Sequence, residues 1–355
     1  MNSRIKELAE ILVDHSTRVS EGDNVLIQYA DDGADLAAEI HKECSRRGAN
    51  TLILVTPVEV VKCYYDVTPE TYIGNFPAHY YALVKSSDVI ISIRSERNTK
   101  ALSSTDSKRI SQRTIATKKI AEERLRKRWC LVQYPTSSYA QDAEMSLTEY
   151  EEFVYNAMLR DWTSEGTKMR KLKELFDNSK EVHLVGEESD LTMSIGGRTT
   201  IIDDGTHNMP GGELFTAPLE GSAEGKIYFD LPAVVYGKEV QEVRLEFEKG
   251  LIVDYSARKN DDLLKAMVET DKGSHRLGEL GIGVNWGITR FTKNILLDEK
   301  IGGTIHLAIG QSYKECGGRN KSAIHWDMIK TLKPGRIELD GKTVQENGRF
   351  KADLR

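Results

Sequence analysis

The stretch NVLIQYADDGADLAAEIHKECSRRGANTLILVT, residues 24–56, contains two short strand-like runs separated by a helical pattern. The runs 24–30 and 50–56 are rich in apolar and β-branched residues and have the length of buried strands. Residues 33–49 follow the helical period and end near Gly48, where a helix often stops. Two strands joined by a helix pair in parallel, with the helix covering the sheet. This stretch therefore predicts a layered α/β domain.

Two more strand-like runs, 86–95 and 128–135, continue the pattern along the first half of the chain. We predict an α/β fold with a Rossmann-like layered N-terminal domain over residues 1–178. The turn after the first strand reads ADDGAD (30–35) and lacks the GxGxxG sequence that binds dinucleotides in this position. The sequence also contains no GxxxxGK[ST] phosphate loop. We therefore expect no nucleotide cofactor.

The pattern changes after the polar stretch FDNSKE (176–181). Residues 181–205 and 223–257 alternate apolar and polar positions between glycine-containing turns, which is typical of antiparallel strands. We predict a second domain over residues 179–355, strand-rich and of α+β type. A short helix is expected within it at about residues 260–270.

The composition indicates an ordinary globular protein without a nucleic-acid partner. The 355 residues include 49 basic and 55 acidic side chains, so the net charge of −6 lacks the basic surplus of nucleic-acid binders. No apolar run is long enough for a membrane span, and the N-terminus does not resemble a signal peptide. The four cysteines are far apart and suggest neither a zinc knuckle nor a disulfide framework. We expect a cytoplasmic protein.

The segment SAIHWDMIK (322–330) places His325 and Asp327 two positions apart in an otherwise apolar run. On a strand, both side chains would point to one face while Trp326 packs on the other. Two metal ligands on a rigid strand would explain the spacing. A buried histidine that is hydrogen-bonded by a nearby aspartate would explain it as well.

Other acids and a histidine in the second half also stand in glycine-rich or apolar surroundings, namely Glu213, Glu279, Glu299 and His306. Burying such groups costs free energy unless they are paired or bind a metal ion. Two imidazoles with several carboxylates exceed the needs of one tetrahedral zinc and suit two divalent ions. Turn or capping roles for Glu213 and Glu279, and an exposed loop at Glu299, remain open alternatives. From spacing alone, neither the metal site nor a substrate is decided.

Five segments resemble the aminopeptidase T / aminopeptidase S family of metallo-aminopeptidases: YPTSSYAQDAEMSLTEYEEFVY (134–155), NMPGGELFTAP (208–218), RLGELGIGVN (276–285), HLAIGQSY (306–313) and SAIHWDMI (322–329). The resemblance covers most of the chain. It implies the metal ligands Glu213, Glu279, His306, His325 and Asp327, with Glu299 as a further acidic ligand. It also implies an active-site role for Tyr313 and a homodimer. The segment between His306 and His325 is shorter here than in the family.

The resemblance implies that the protein removes N-terminal residues from peptides with a free N-terminus. We expect two divalent ions per chain (Zn, Co or Mn) that hold a hydroxide for attack on the first peptide carbonyl. Glu213 or Glu279 would carry a proton to the leaving amine, and Tyr313 would donate a hydrogen bond to the oxyanion. Two alternatives are a metal-dependent hydrolase of a non-peptide amide or ester, and a non-catalytic oligomeric binding protein.

Overall fold

In the computed structural model, which describes residues 3–235 and 237–352, the chain forms two compact units. The first comprises the chain up to Arg160 together with Gly205–Gly211, and the second comprises Asp161–Asp204 and the chain from Gly212 onward. The domain boundary predicted at residues 178 and 179 lies one helix further along the chain and stays a prediction. In the described residues, no helix has both the length and the apolar character needed to cross a membrane.

The first unit alternates helices and strands. Its helices are α1 (Ser3–Ile11, continued by a π-helical turn at Leu12–Ser16), α2 (Ala34–Arg46), α3 (Val58–Val67), α4 (Glu70–Ile73), α5 (Ala78–Ser86), α6 (Ser107–Arg124), α7 (Ser137–Asp142) and α8 (Leu147–Met158). Its first four strands are β1 (Asn24–Tyr29), β2 (Asn50–Val55), β3 (Val89–Arg94) and β4 (Arg128–Gln133).

These four strands form a parallel sheet in the order β2-β1-β3-β4. The apolar run of β1 is buried at Val25, Leu26 and Ile27, and α2 contributes the buried side chains Leu36 and Ile40. Burial on both faces explains why the central strands are nearly continuous apolar runs in the sequence. The predicted layered α/β fold is confirmed for the N-terminal part of the chain.

The second unit begins with a helix and is otherwise rich in strands. In chain order it contains α9 (Trp162–Asp177), β5 (Glu181–Gly186), β6 (Ser189–Ser194) and β7 (Ile201–Asp203). The short strand β8 (Asn208–Met209) then joins the sheet of the first unit beside β4. The strands that follow are β9 (Glu213–Thr216), β10 (Glu224–Phe229), β11 (Ala233–Val235), β12 (Lys238–Val240), β13 (Val243–Glu248) and β14 (Leu251–Ser256).

After helix α10 (Asp261–Val268), the chain continues through β15 (Leu277–Gly283), helix α11 (Ile295–Asp298), β16 (Thr304–Gly310), β17 (His325–Thr331), β18 (Gly335–Leu339), β19 (Lys342–Glu346) and β20 (Arg349–Phe350). An eight-stranded sheet and a five-stranded sheet form the body of this unit, the latter in the order β17-β16-β15-β9-β7. Every pairing in the five-stranded sheet is antiparallel. The predicted strand-rich C-terminal part is confirmed.

Candidate metal centre

One face of the five-stranded sheet packs into the core, and the other carries five of the six predicted ligands. On β16, Ile305, Leu307 and Ile309 are buried in the hydrophobic core of the unit. His306 lies between them in the sequence and therefore points to the opposite face. β17 follows the same rule, since Trp326 packs in the core while its neighbours His325 and Asp327 share the other face, as predicted.

On β15 and β16, residues without a bulky side chain lie opposite four of the ligands. His306 pairs with Gly281 across β15 and β16, and Glu213 pairs with Gly283 across β9 and β15. Ala308 lies opposite both Glu279 and Asp327. Because a strand partner directly opposite comes within about 5 Å, these small residues leave room for long ligand side chains on one face.

The structure brings all the predicted ligands together. The Nε2 atom of His306 lies 3.3 Å from Glu279 and 3.6 Å from Glu213. The Nε2 atom of His325 lies 3.2 Å from Glu279 and 3.6 Å from Asp327. Their donor atoms form two groups, each within 4.8 Å: Glu213, Glu299 and His306, and Glu279, His325 and Asp327. Their role as metal ligands stays a prediction.

Both imidazoles are oriented by backbone carbonyls. The Nδ1 atom of His306 lies 3.1 Å from the carbonyl oxygen of Glu299, and that of His325 lies 2.7 Å from that of Gln311. A carbonyl oxygen can only accept a hydrogen bond, so the Nδ1 atom of each histidine carries a proton and donates it. The Nε2 atom of each ring faces the carboxylates. Metal-binding histidines are commonly held in this way. The residues present therefore fit divalent ions.

The carboxylates of the centre raise the pKa values of both imidazoles. Burial disfavours the imidazolium of His306, but its hydrogen bond to Glu279 and the nearby acidic charges outweigh burial and raise its pKa to about 10. The same balance raises the pKa of His325 to about 9. Burial also opposes ionisation of Glu279, yet the hydrogen bonds to both histidines lower its pKa. The carboxylate charge that raises both histidine pKa values is the charge that attracts a metal cation to this centre.

Glu299 lies at the C-terminal end of α11, where its carbonyl orients His306 and its side chain pairs with Lys300. Lys300 is fully buried, and its ammonium lies 3.0 Å from Glu213. The local sequence does not mark this lysine as a site residue. The string DEK has the composition of an exposed loop, and only the apolar residues around it could have signalled its burial.

Tyr313 lies at the rim of the centre, where its side chain is partly exposed. Its ring centroid is 5.5 Å from that of Phe215 and 5.0 Å from that of His325. The backbone beyond it is anchored, because Thr199 donates to the carbonyl of Cys316 and Arg198 donates to that of Gly317. Partial burial and then the charges of Glu279 and Asp327 raise the pKa of Tyr313, so the phenol remains a hydrogen-bond donor.

A small hollow of about 20 Å³ adjoins Asp327 on the same side of the sheet. Most of its walls are apolar, and its lining residues are Pro232, Ala233, Val234, Phe291, Lys293, Ile295, Asp298, Asp327 and Ile329. Asp327 and Ile329 belong to the same face of β17, so the hollow continues directly from the candidate centre.

Three carboxylates and two imidazoles on one sheet face, together with the carboxylate of Glu299 at the end of α11, are the donors of hydrolytic centres that hold divalent ions. The class defined by the fold and these donors is a metal-dependent hydrolase. Residues 1–350 match the family described as Thermophilic metalloprotease (M29), and the chain belongs to that family. The resemblance drawn from the sequence is thereby confirmed.

Three similar proteins match this chain over nearly its whole length. Aminopeptidase AmpS of Bacillus subtilis (strain 168) is 26% identical, and the match covers 96% of each chain. Aminopeptidase 2 of Geobacillus stearothermophilus is 24% identical over 97% of this chain and 95% of its own. Wild-type AmpT from Thermus thermophilus superposes with a TM-score of 0.86 at 20% identity, covering 98% of this chain and 99% of that structure. The superposition shows a shared fold.

Proposed function

We propose that this protein is an aminopeptidase that removes N-terminal residues from peptides. It would use two divalent metal ions, which are zinc, cobalt or manganese. The observation that carries the proposal is the convergence of two ligand groups on one sheet face, with both imidazoles directed by backbone carbonyls. Full-length relatives that bear the name aminopeptidase support the substrate class.

The six predicted ligands would hold the two ions, and two of them could also carry a proton. Glu213, Glu299 and His306 would hold one ion, and Glu279, His325 and Asp327 the other. When bound, the ions would polarise the first peptide carbonyl, bind the free amine and activate a water molecule. Glu213 and Glu279 are the carboxylates available to carry a proton to the leaving amine, since both lie beside His306.

Tyr313→Phe is expected to lower kcat about 10²- to 10³-fold, the usual loss when one donor to a developing oxyanion is removed. The ring contacts with Phe215 and His325 do not need the hydroxyl, so metal content and thermal stability should stay unchanged. Steady-state kinetics with an amino-acid anilide measures the effect. Tyr255→Phe is the matched control, because its hydroxyl bonds Glu269 on the surface of the same unit. Equal kcat for Tyr313→Phe and the unmodified protein would remove Tyr313 from the reaction.

The experiment that tests the function combines elemental analysis with hydrolysis of a panel of amino-acid anilides before and after chelation. We expect about two divalent ions per chain, as two-metal centres hold, and cleavage that stops on chelation and returns on metal resupply. Bound metal without cleavage of any anilide would favour a hydrolase of a non-peptide amide or ester. Cleavage that survives exhaustive chelation would contradict a metal-dependent aminopeptidase.

The proposed assembly is a homodimer in the cytoplasm. The four cysteines are free thiols, as expected for a protein of a reducing compartment. Sedimentation of the purified protein tests the assembly, and a monomer at micromolar concentration would contradict it.

A further inference from the structure

A lysine lies inside the candidate metal centre. The side chain of Lys300 is fully buried, and its ammonium pairs with Glu213 at 3.0 Å and with Glu299. A third carboxylate, that of Asp203, lies 3.9 Å away. Positive charge on the side of Glu213 and Glu299 is therefore supplied by the chain itself.

The backbone holds this lysine in place. Its amide donates to the carbonyl of Leu297, and its own carbonyl accepts from the amide of Asn285. Asp203 and Glu213 lie directly opposite each other on β7 and β9. Like charges in that arrangement destabilise a sheet, and the ammonium of Lys300 offsets their repulsion.

With a neutral water bound, the charges of the loaded centre would balance without any pairing between Lys300 and a ligand. Four ligand carboxylates, those of Glu213, Glu279, Glu299 and Asp327, match the charge of two divalent ions. Asp203 belongs to neither ligand group, and its single charge matches the ammonium. Because the ammonium is already within 4 Å of Asp203, a small side-chain movement would complete that pair.

We propose that Lys300 is a positioning residue that changes partners when metal binds, which rests on the metal centre of the proposed function. It pairs with Glu213 and Glu299 in the metal-free protein and with Asp203 when both ions are bound. The group Glu279, His325 and Asp327 is instead paired through imidazoles. An imidazolium becomes a metal ligand by losing one proton, without moving, whereas an ammonium must move aside. The first ion therefore binds at Glu279, His325 and Asp327, and the second binds more weakly beside Lys300.

Cobalt titration of the metal-free full-length protein, followed by visible absorption and calorimetry, tests this order. The unmodified protein should show two separate binding steps. In Lys300→Met the second step should tighten roughly tenfold or more, the lower end of what a close charge pair contributes. Lys330→Met is the matched control, because this other buried lysine contacts the carbonyl of Glu187 at 3.2 Å and no predicted ligand. In Lys330→Met, the difference in affinity between the two binding steps should equal that of the unmodified protein.

A second variant covers the case in which Lys300→Met does not fold. The double change Lys300→Met with Asp203→Asn preserves the net charge of the centre and should show the same tightening. The unmodified protein offers an independent measurement, since the nitrogen resonance of the buried Lys300 ammonium should shift with the second equivalent of zinc and not with the first.

A second step that is unchanged or weaker in the folded variants would overturn the role of Lys300. A lysine resonance that moves with the first equivalent would overturn the order of binding. Absence of any cobalt binding by the unmodified protein would instead refute the proposed function, together with this inference. The two failures are thus distinguishable.

Discussion

Replacing Gly281 with alanine is expected to eliminate most of the metal binding and to lower peptidase activity by more than about 100-fold. Gly281 lies opposite His306, and a Cβ atom at this position would overlap the imidazole of that histidine. The imidazole would have to leave its position beside Glu279 and Glu213. A displacement of about 1 Å in a reacting site can cost 10²-fold in rate. Overpacking should also destabilise the fold by about 1–3 kcal/mol.

Metal content, anilide hydrolysis and thermal unfolding of the variant measure these three effects separately. Gly196→Ala is a matched control in the same unit, because the nearest side-chain atom to its added Cβ would lie at an ordinary 3.5 Å. The control should keep full metal content and activity. Normal metal content in Gly281→Ala would mean that His306 binds no metal, or that the sheet yields easily at this position.

The parts of the site that could be predicted from the sequence depend on local periodicity. His325 and Asp327 share a face because strand side chains alternate, and the buried Trp326 between them fixes which face points to the core. The helix start at Ser146 is equally local, because a serine followed three residues later by Glu149 is typical of a capping box, and the structure contains both of its hydrogen bonds.

What could not be predicted depends on register between distant strands. The pairing of Gly281 with His306 joins positions 25 residues apart, and nothing in either segment specifies that they face each other. The surroundings of Lys300 also depend on strand register. The pairing of β7 with β9 places Asp203 opposite Glu213, and the ammonium of Lys300 lies near both carboxylates. Strand β8 joins the sheet of the first unit through only two paired residues, too few for a periodic signal.

Asp327→Asn is expected to remove the ion held by Glu279, His325 and Asp327 and to lower activity by well over 100-fold. The change keeps the size of the side chain and removes only its charge, so the strand should retain its packing. Loss of a partner that merely orients a metal ligand typically costs 10- to 100-fold, and direct ligation should cost more. Metal content should fall by about one ion per chain, consistent with a two-metal centre.

Asp254→Asn, at an exposed position of β14, is the control for removing one carboxylate charge from the same unit, and it should leave metal content unchanged. Full metal content in Asp327→Asn would mean that Asp327 only satisfies His325, which lies 3.6 Å from it. That outcome would restore the structural explanation of the His-x-Asp spacing. Loss of one ion with the fold intact, at a free metal concentration more than about 100-fold above the Kd of the unmodified protein, would exclude it, because losing a partner that only orients a ligand costs at most about 100-fold.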